Sequence, residues 1–409
     1  MTSLLRNFRS WWQPPRNIID RPEHRQITFL ELFYDLIYVV IIAELTHSLA
    51  IHIDLQHLLQ FVFLFVIVWW AWLNGTFYHE LHGNDDIRTR VFTFAQMFCV
   101  MSMAVFAHDA TASTSIGFAI SLGTFQLILM YLWRQTGVHD PTHRPISVPY
   151  TYAFLTVTVL FFASIFVEPS IRLYMWSFAT LIAVLMPLLV FVLGRNNPVA
   201  QKHIEMATRA SHPLVERFGL FTLIVMGEII VGVVRGIAEH EELTVRVGVI
   251  VALSMLIAFA IWWLYFDTVS HRLPRERTWS ALWMYTHLPV TIGIAMIGAS
   301  NLNVIEGADE ALPLEVRWLL VLSVVIVLLG IAILIQTVRP HEQFELAYRN
   351  SQRAMIGVSV IIGILGFTTL ETIPLLACIV ALLFIPIIIG LINWAKTFEA
   401  SSQDIAPLT

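Results

Sequence analysis

The stretch "TFLELFYDLIYVVIIAELTHSLA", Thr28 to Ala50, decides what kind of fold this chain adopts. It is long and apolar enough to cross a bilayer, which takes about 20 helical residues. Yet it carries Glu31, Asp35, Glu44 and His47. A carboxylate at the bilayer centre costs roughly 2.5–3.5 kcal/mol on the insertion scale, while each Leu, Ile or Phe returns only about 0.3–0.6. Two central carboxylates cancel most of the apolar gain. The segment is therefore expected to be a spanning helix whose acids point into a helix bundle, where they are protonated, paired or wet.

The rest of the chain follows the same pattern. Its 409 residues are 57% hydrophobic and 13% charged, with a mean hydropathy of +0.73. Twelve apolar runs are readable, at about 27–50, 57–78, 89–109, 113–134, 148–168, 172–194, 213–236, 246–267, 281–303, 314–338, 353–370 and 373–396. The expected fold is an all-α polytopic membrane protein of twelve transmembrane helices. Connecting segments are short and leave no room for a soluble catalytic domain. Phosphate-binding glycine loops, nucleophile elbows and nucleic-acid patches are absent from the sequence. The chain is expected not to be an enzyme, to need no cofactor and to bind no nucleic acid.

Basic residues set an orientation. With twelve spans and the N-terminus inside, nineteen Lys and Arg fall inside and four outside, namely Arg172, Arg235, Arg246 and Arg317; Arg217 stands at a helix start. The positive-inside rule then places both termini in the cytoplasm. Residues 1–26 hold Trp11, Trp12 and five arginines but no apolar core. They read as a cytoplasmic arm at the headgroup surface and not as a signal peptide. Cys99 and Cys378 fall within spans and read as apolar filler.

The chain also repeats itself. "ELFYDLIYVVIIAE" (31–44) resembles "ERFGLFTLIVMGE" (216–228), "VWWAWLNGTF" (68–77) resembles "IWWLYFDTVS" (261–270), and "FAQMFCVMSMA" (94–104) can be laid on "YTHLPVTIGIA" (285–295). Three matches in one order suggest a duplication of six spans. An even number gives both copies one orientation, as in parallel-repeat transporters. The expected domains are an arm at 1–26, a first repeat at 27–194, a cytoplasmic linker at 195–212, a second repeat at 213–398 and a tail at 399–409.

Each ionisable residue has a functional and a structural reading. Glu31 completes a capping box with Thr28 and suits a first helical turn. Glu216 follows Pro213 and also fits a helix start. Arg217 is suited to pair with a carboxylate of another span, because adjacent side chains diverge on a helix. Asp35 lies one turn beyond Glu31 and is too deep for capping. Glu44 and Glu228 lie roughly 18–20 Å further along their helices than Glu31 and Glu216, past the middle of the hydrocarbon. His47 shares a face with Glu44 and is within reach as a proton relay; solvation near the outer surface is the alternative. Glu228 reads either as an ion or proton site or as a neutral acid on a neighbouring helix, with Gly227 and Gly232 allowing close approach. His287 precedes Pro289, whose kink frees backbone groups to line a cavity. Asn74 and Asp267 read as polar ends of an aromatic belt. A metal site is weakly supported, since Glu44-x-x-His47 occurs once and its repeat partner lacks the His.

Together, "FLELFYDLIYVV…THSL", the tryptophans ending the second run, "VERFGLFTLIVMGE" and "YTHLP" resemble the bacterial low temperature requirement protein A (LtrA) family over most of the chain. The resemblance implies a multi-pass bacterial inner-membrane protein linked to growth in the cold. It puts Glu31, Phe33, Asp35, Glu216, Arg217, Phe218 and Glu228 at signature positions. It supplies no substrate.

The resulting expectation is a transporter or channel. Its ion, proton or substrate site would draw on Glu31, Asp35, Glu44, His47, Glu216, Arg217, Glu228 and His287. Its partners would be the lipid bilayer and a small cation or protons, and self-association is left open. The alternative is a non-transporting membrane sensor or assembly factor needed in the cold, in which the polar residues only join helices.

Overall fold

The computed structural model describes residues 11–20, 25–240, 242–339 and 345–403. Arg6, Arg9 and Arg21 of the arm, and the tail from 404, lie outside the described residues. Among the described residues there are thirteen α-helices and no strand, with one isolated bridge between Pro274 and Val338. In chain order they are α1 (Phe29–Ile51), α2 (Leu55–His82), α3 (Ile87–Val105), α4 (Ser115–His139), α5 (Arg144–Ala163), α6 (Pro169–Gly194), α7 (Pro198–Thr208), α8 (His212–Ala238), α9 (Val245–Thr268), α10 (Arg277–Glu306), α11 (Leu314–Thr337), α12 (Glu345–Leu365) and α13 (Thr372–Gln403).

Twelve of these fall on the twelve apolar runs. Among the described residues nine are long and apolar enough to cross a membrane: α2, α4, α5, α6, α8, α9, α10, α11 and α13. The architecture is that of a polytopic helical membrane protein. The other three long helices carry charges: Glu31, Asp35 and Glu44 in α1, Arg88 and Arg90 in α3, and Glu345, Arg349 and Arg353 in α12.

Hydropathy misplaces several ends. Helix α2 continues to His82, past the expected 78, and α12 begins at Glu345 and ends at Leu365 instead of spanning 353–370. The reason is physical: hydropathy falls where the membrane stops, whereas a helix stops where its backbone finds a cap. The stretch expected as a plain linker holds α7, capped by Asn197 and burying Ala200, His203 and Ile204 on one face.

By compactness the chain falls into two units, Met1–Ser48 with Leu59–Arg217, and Leu49–Leu58 with Phe218–Thr409. In the first, Trp176 lies fully buried beside Phe118 and Phe161, with centroids at 5.5 and 5.8 Å. Its described N-terminal arm is tied down by hydrogen bonds. Gln13 N donates to Asp86 Oδ2 (2.9 Å), Arg16 N to the His82 carbonyl (3.0 Å), and Asn84 Nδ2 to the Pro14 carbonyl (2.7 Å). The arm is tied to the α2–α3 corner because that corner offers a helix end and an N-cap carboxylate as partners.

In the second unit α8 packs closely on α10. A methyl group on Gly232 would collide with the Gly298 carbonyl, and one on Gly298 would sit 2.6 Å from the Glu228 carbonyl oxygen. Gly232 and Gly236 form a small-xxx-small face that lets the backbones approach. Gly227, expected to share this role, has nothing within 4 Å of its missing side chain.

Candidate functional site

The polar centre of the first unit is built on three helix termini. At the start of α1, Thr28 N donates to Glu31 Oε2 (2.9 Å) and Glu31 N donates to Thr28 Oγ1 (3.3 Å), a complete capping box. That fixes the α1 start and sets Glu31 and Asp35 one turn apart on one face. At the start of α8, Ser211 Oγ accepts from Leu214 N (3.1 Å) and donates to Glu80 Oε1 (2.5 Å). The same cap therefore orders the first turn that carries Arg217.

Arg217 is fully buried and grips Asp35, itself 0% exposed, with Nε on Oδ2 at 3.1 Å and Nη2 on Oδ1 at 2.5 Å. Trp72 Nε1 donates to Asp35 Oδ1 at 2.8 Å. Asp35 thus accepts three hydrogen bonds from charged and polar donors, a bidentate arrangement that only arginine supplies. The Arg217 guanidinium also stands 5.7 Å from the Tyr34 ring centroid, and Tyr34 shares a hydrogen bond with Tyr38 (3.0 Å). Gly75 makes room for the Tyr34 hydroxyl, since any side chain there would overlap it.

The network continues outward through Glu31. Its nearest approach to Arg217 is 3.7 Å, from Oε1 to Nη1, and that Nη1 is buried without a hydrogen bond. Arg25 holds Glu31 at 3.1 and 2.9 Å and Glu80 at 2.6 Å. Burial alone would lower the Arg25 pKa; the charges of Glu31 and Glu80 outweigh it and raise it. Arg16 Nη2 closes the far end on the Glu80 carbonyl (2.7 Å). Below, His79 shares a hydrogen bond with Thr93 Oγ1 (3.1 Å) and meets Tyr34 edge-on. The result is one contiguous chain of charges: Asp35, Arg217, Glu31, Arg25, Glu80.

The other expected residues lie elsewhere. Glu216 is exposed, turned away from the network because its neighbour Arg217 faces inward and successive helical residues diverge by about 100°. Glu44 and His47 are half-buried and not hydrogen-bonded to each other; His47 Nδ1 is buried without a partner. Glu228 is buried (3% exposed) in the second unit. His287, also in the second unit, is locally occupied: Nδ1 bonds the Trp283 carbonyl (2.7 Å) and Nε2 the Tyr265 hydroxyl (2.9 Å). That pattern fits a neutral ring with its proton on Nδ1. Asn74 and Asp267 serve local bonds to Trp70 and Trp263. Among the described residues no group of three or more His, Cys, Asp or Glu side chains could hold a metal ion.

Glu80 and Arg25 are not among the residues the sequence points to, and Trp72 enters there only as one of the tryptophans ending the second run. A signal existed for two of them: Trp72, Thr76, His79 and Glu80 recur at helical spacing, and all four are buried.

A family model for the bacterial low temperature requirement A protein matches residues 26–393, nearly the whole chain and every residue of the network but Arg16 and Arg25. The chain belongs to the LtrA family. This LtrA chain is 24% identical over 305 residues to an uncharacterized protein of Rhizobium meliloti (strain 1021), covering 71% of each. No solved structure matches it.

Proposed function

We propose that this LtrA protein is a membrane transporter or channel in which the buried carboxylates couple the passage of a cation or protons to a change in helix packing. It carries solutes and is not an enzyme. The observation behind this reading is the uneven grip of Arg217: both Asp35 oxygens are held tightly, while Nη1 faces Glu31 at 3.7 Å with no hydrogen bond. A guanidinium between two carboxylates has two arrangements available. Protonation or cation binding at Asp35 releases Arg217 toward Glu31, which in turn loosens Arg25. A ligand with different affinity for two packings shifts their balance, which is what coupling requires. Ionisable groups inside a membrane bundle are costly and mark ion or proton paths by default.

The finer topology belongs to the same proposal. All twelve long helices cross a bacterial inner membrane as two six-helix repeats, with both termini cytoplasmic. The support is the match of runs to helices, the three sequence matches and the Lys/Arg asymmetry.

The test is reconstitution in liposomes loaded with a pH-sensitive dye, under imposed proton and monovalent-cation gradients. Wild type is expected to carry flux, Asp35→Asn and Glu31→Gln to lose it, and Glu216→Gln to retain it. Absence of flux of protons or any common cation in the wild type overturns the proposal. One observation favours a second reading: Asp35 is saturated by three donors, as a structural staple would be. In that case the protein is a non-transporting sensor or assembly factor, no flux is seen, and growth in the cold tracks protein stability alone.

A further inference from the structure

A cavity of about 480 Å³ lies between α4 and α5, lined by residues the charge network does not use. Arg134 and Arg144 line it at one end, the last turns of α4 and the first residue of α5. Both are exposed. Arg134 makes no hydrogen bond, and Arg144 makes one, from Nε to the Gly137 carbonyl (3.0 Å), which leaves both its Nη groups for a ligand. Ser147, one turn beyond Arg144, also lines the cavity; it is 1% exposed and its Oγ is buried with no partner. A buried hydroxyl without a partner is uncommon and calls for an explanation. Glycine at 137 leaves the space this hydroxyl occupies, since a methyl there would overlap it. Among the described residues no acid lines the cavity. Asp140, in the adjoining turn, spends Oδ1 on Thr142 N (3.0 Å) and Thr142 Oγ1 (2.6 Å), while its Oδ2 is buried without a hydrogen bond; it does not line the cavity.

Further along the hairpin the lining turns mostly apolar. Met130, Val148 and Leu155 line it, with Thr151 and Tyr152 beside them. Met130 lies about one turn into α4 from Arg134, and Leu155 about three turns, some 16 Å, into α5 from Arg144. The cavity therefore joins two unneutralised guanidiniums and a free hydroxyl to an apolar track running along the membrane-length part of the hairpin. The geometry points to a binding site for an anionic phospholipid: its phosphate on Arg134, Arg144 and Ser147, and an acyl chain along Met130, Val148 and Leu155. Basic pockets between transmembrane helices recognise phosphate headgroups in this way, and arginine suits the phosphate's paired oxygens. A free phosphate would use the same polar groups and leave the apolar track empty.

The test uses the full-length protein purified in detergent, with thermal unfolding followed during titration with phosphatidylglycerol, phosphatidylcholine or inorganic phosphate. Phosphatidylglycerol is expected to raise the unfolding temperature saturably, and phosphatidylcholine much less. Arg134→Gln should weaken that titration about fivefold, and Arg134→Gln with Arg144→Gln about twenty-five-fold, since each basic group near an anionic headgroup contributes about that factor. Leu155→Trp, which narrows the track and keeps the charges, should weaken the lipid response too. Arg134 holds nothing in the fold, so its variant reports on binding even if the Arg144 change impairs folding. An equal response to phosphatidylcholine, an undiminished response in Arg134→Gln, or a full response to inorganic phosphate alone would each overturn the assignment.

Discussion

Asp35 and Arg217 are both completely buried, and each is the other's main reason for being charged. Removing one partner leaves an uncompensated charge in a bundle interior, which costs about 3–5 kcal/mol, whereas removing both costs less. Arg217→Gln is therefore expected to destabilise the protein by about that amount, and Asp35→Asn somewhat less, because a neutral amide still accepts from Trp72. The double variant should recover part of the loss, giving a coupling energy well above 1 kcal/mol in unfolding from mixed micelles. Strictly additive losses would show the two groups to be independent. Asp35 could be picked from sequence because its depth makes an unpaired carboxylate untenable, and so could the pairing of Arg217 with an acid of another helix. Glu80 and Arg25 were hidden for the opposite reason: at the ends of apolar runs a charge looks like ordinary solvation. Glu44 looks as exceptional in sequence as Asp35, and Glu216 reads as a helix-start acid, but only the folded helix shows that neither faces the network.

Helix α8 illustrates how an element's glycines divide by what they touch. Gly232 stands against the Gly298 carbonyl and has no room for a methyl group; Gly227 faces open space. Gly232→Ala is expected to cost about 1–3 kcal/mol through overpacking, while Gly227→Ala should cost nothing, since glycine within a helix is itself unfavourable. Equal thermal stability of the two variants in detergent would contradict the close α8–α10 crossing. Spacing alone pairs Gly232 with Gly236, yet it cannot tell Gly227 apart, because the partner helix is not written in α8. Helix α7 escaped hydropathy for its brevity, although Ala200, His203 and Ile204 already show an i, i+3, i+4 stripe. It docks through His203, whose Nδ1 lies 3.0 Å from His143 Nδ1, so one ring must donate and the other accept. Burial lowers the His203 pKa from its usual value. A depressed folded value means the undocked ring binds protons more readily. The docking is therefore at full strength above about pH 6.5 and is lost as pH falls from there toward the lowered folded value. Hydrogen exchange of residues 198–208 should be faster at pH 5.5 than at pH 7.5; equal protection would mean that His203 does not control the docking.

At the scale of the whole chain, side-chain contacts give a check on topology that does not depend on counting arginines. In the first unit one set of contacts joins the arm and the end of α2 (Arg16 with His82), the end of α2 and the start of α8 (Glu80 with Ser211), and the α4–α5 turn with α7 (His143 with His203). A different set joins the end of α1 to the turn after α3 (Ser48 with His108) and the starts of α4 and α6 (Ser115 with Arg172). This alternation supports the proposed six successive crossings. Three of the four basic residues on the sparse side are also spent on backbone carbonyls: Arg172 on Ser164 and Val167, Arg246 on Ala308, and Arg317 on Thr368 and Leu370. They cap helix ends and keep their charge, which the count of nineteen to four already includes. The proposed orientation puts the side joining Glu80 to Ser211 in the cytoplasm. In a Cys378→Ser background, with Cys99 buried, a membrane-impermeant maleimide should label Ala112→Cys in intact cells and Asn196→Cys only after permeabilisation. Both positions are exposed. The reverse pattern would turn the molecule over, placing the Arg134–Arg144 cavity and the mouth of the charge network on the outer face and leaving the proposed coupling without access from the cytoplasm.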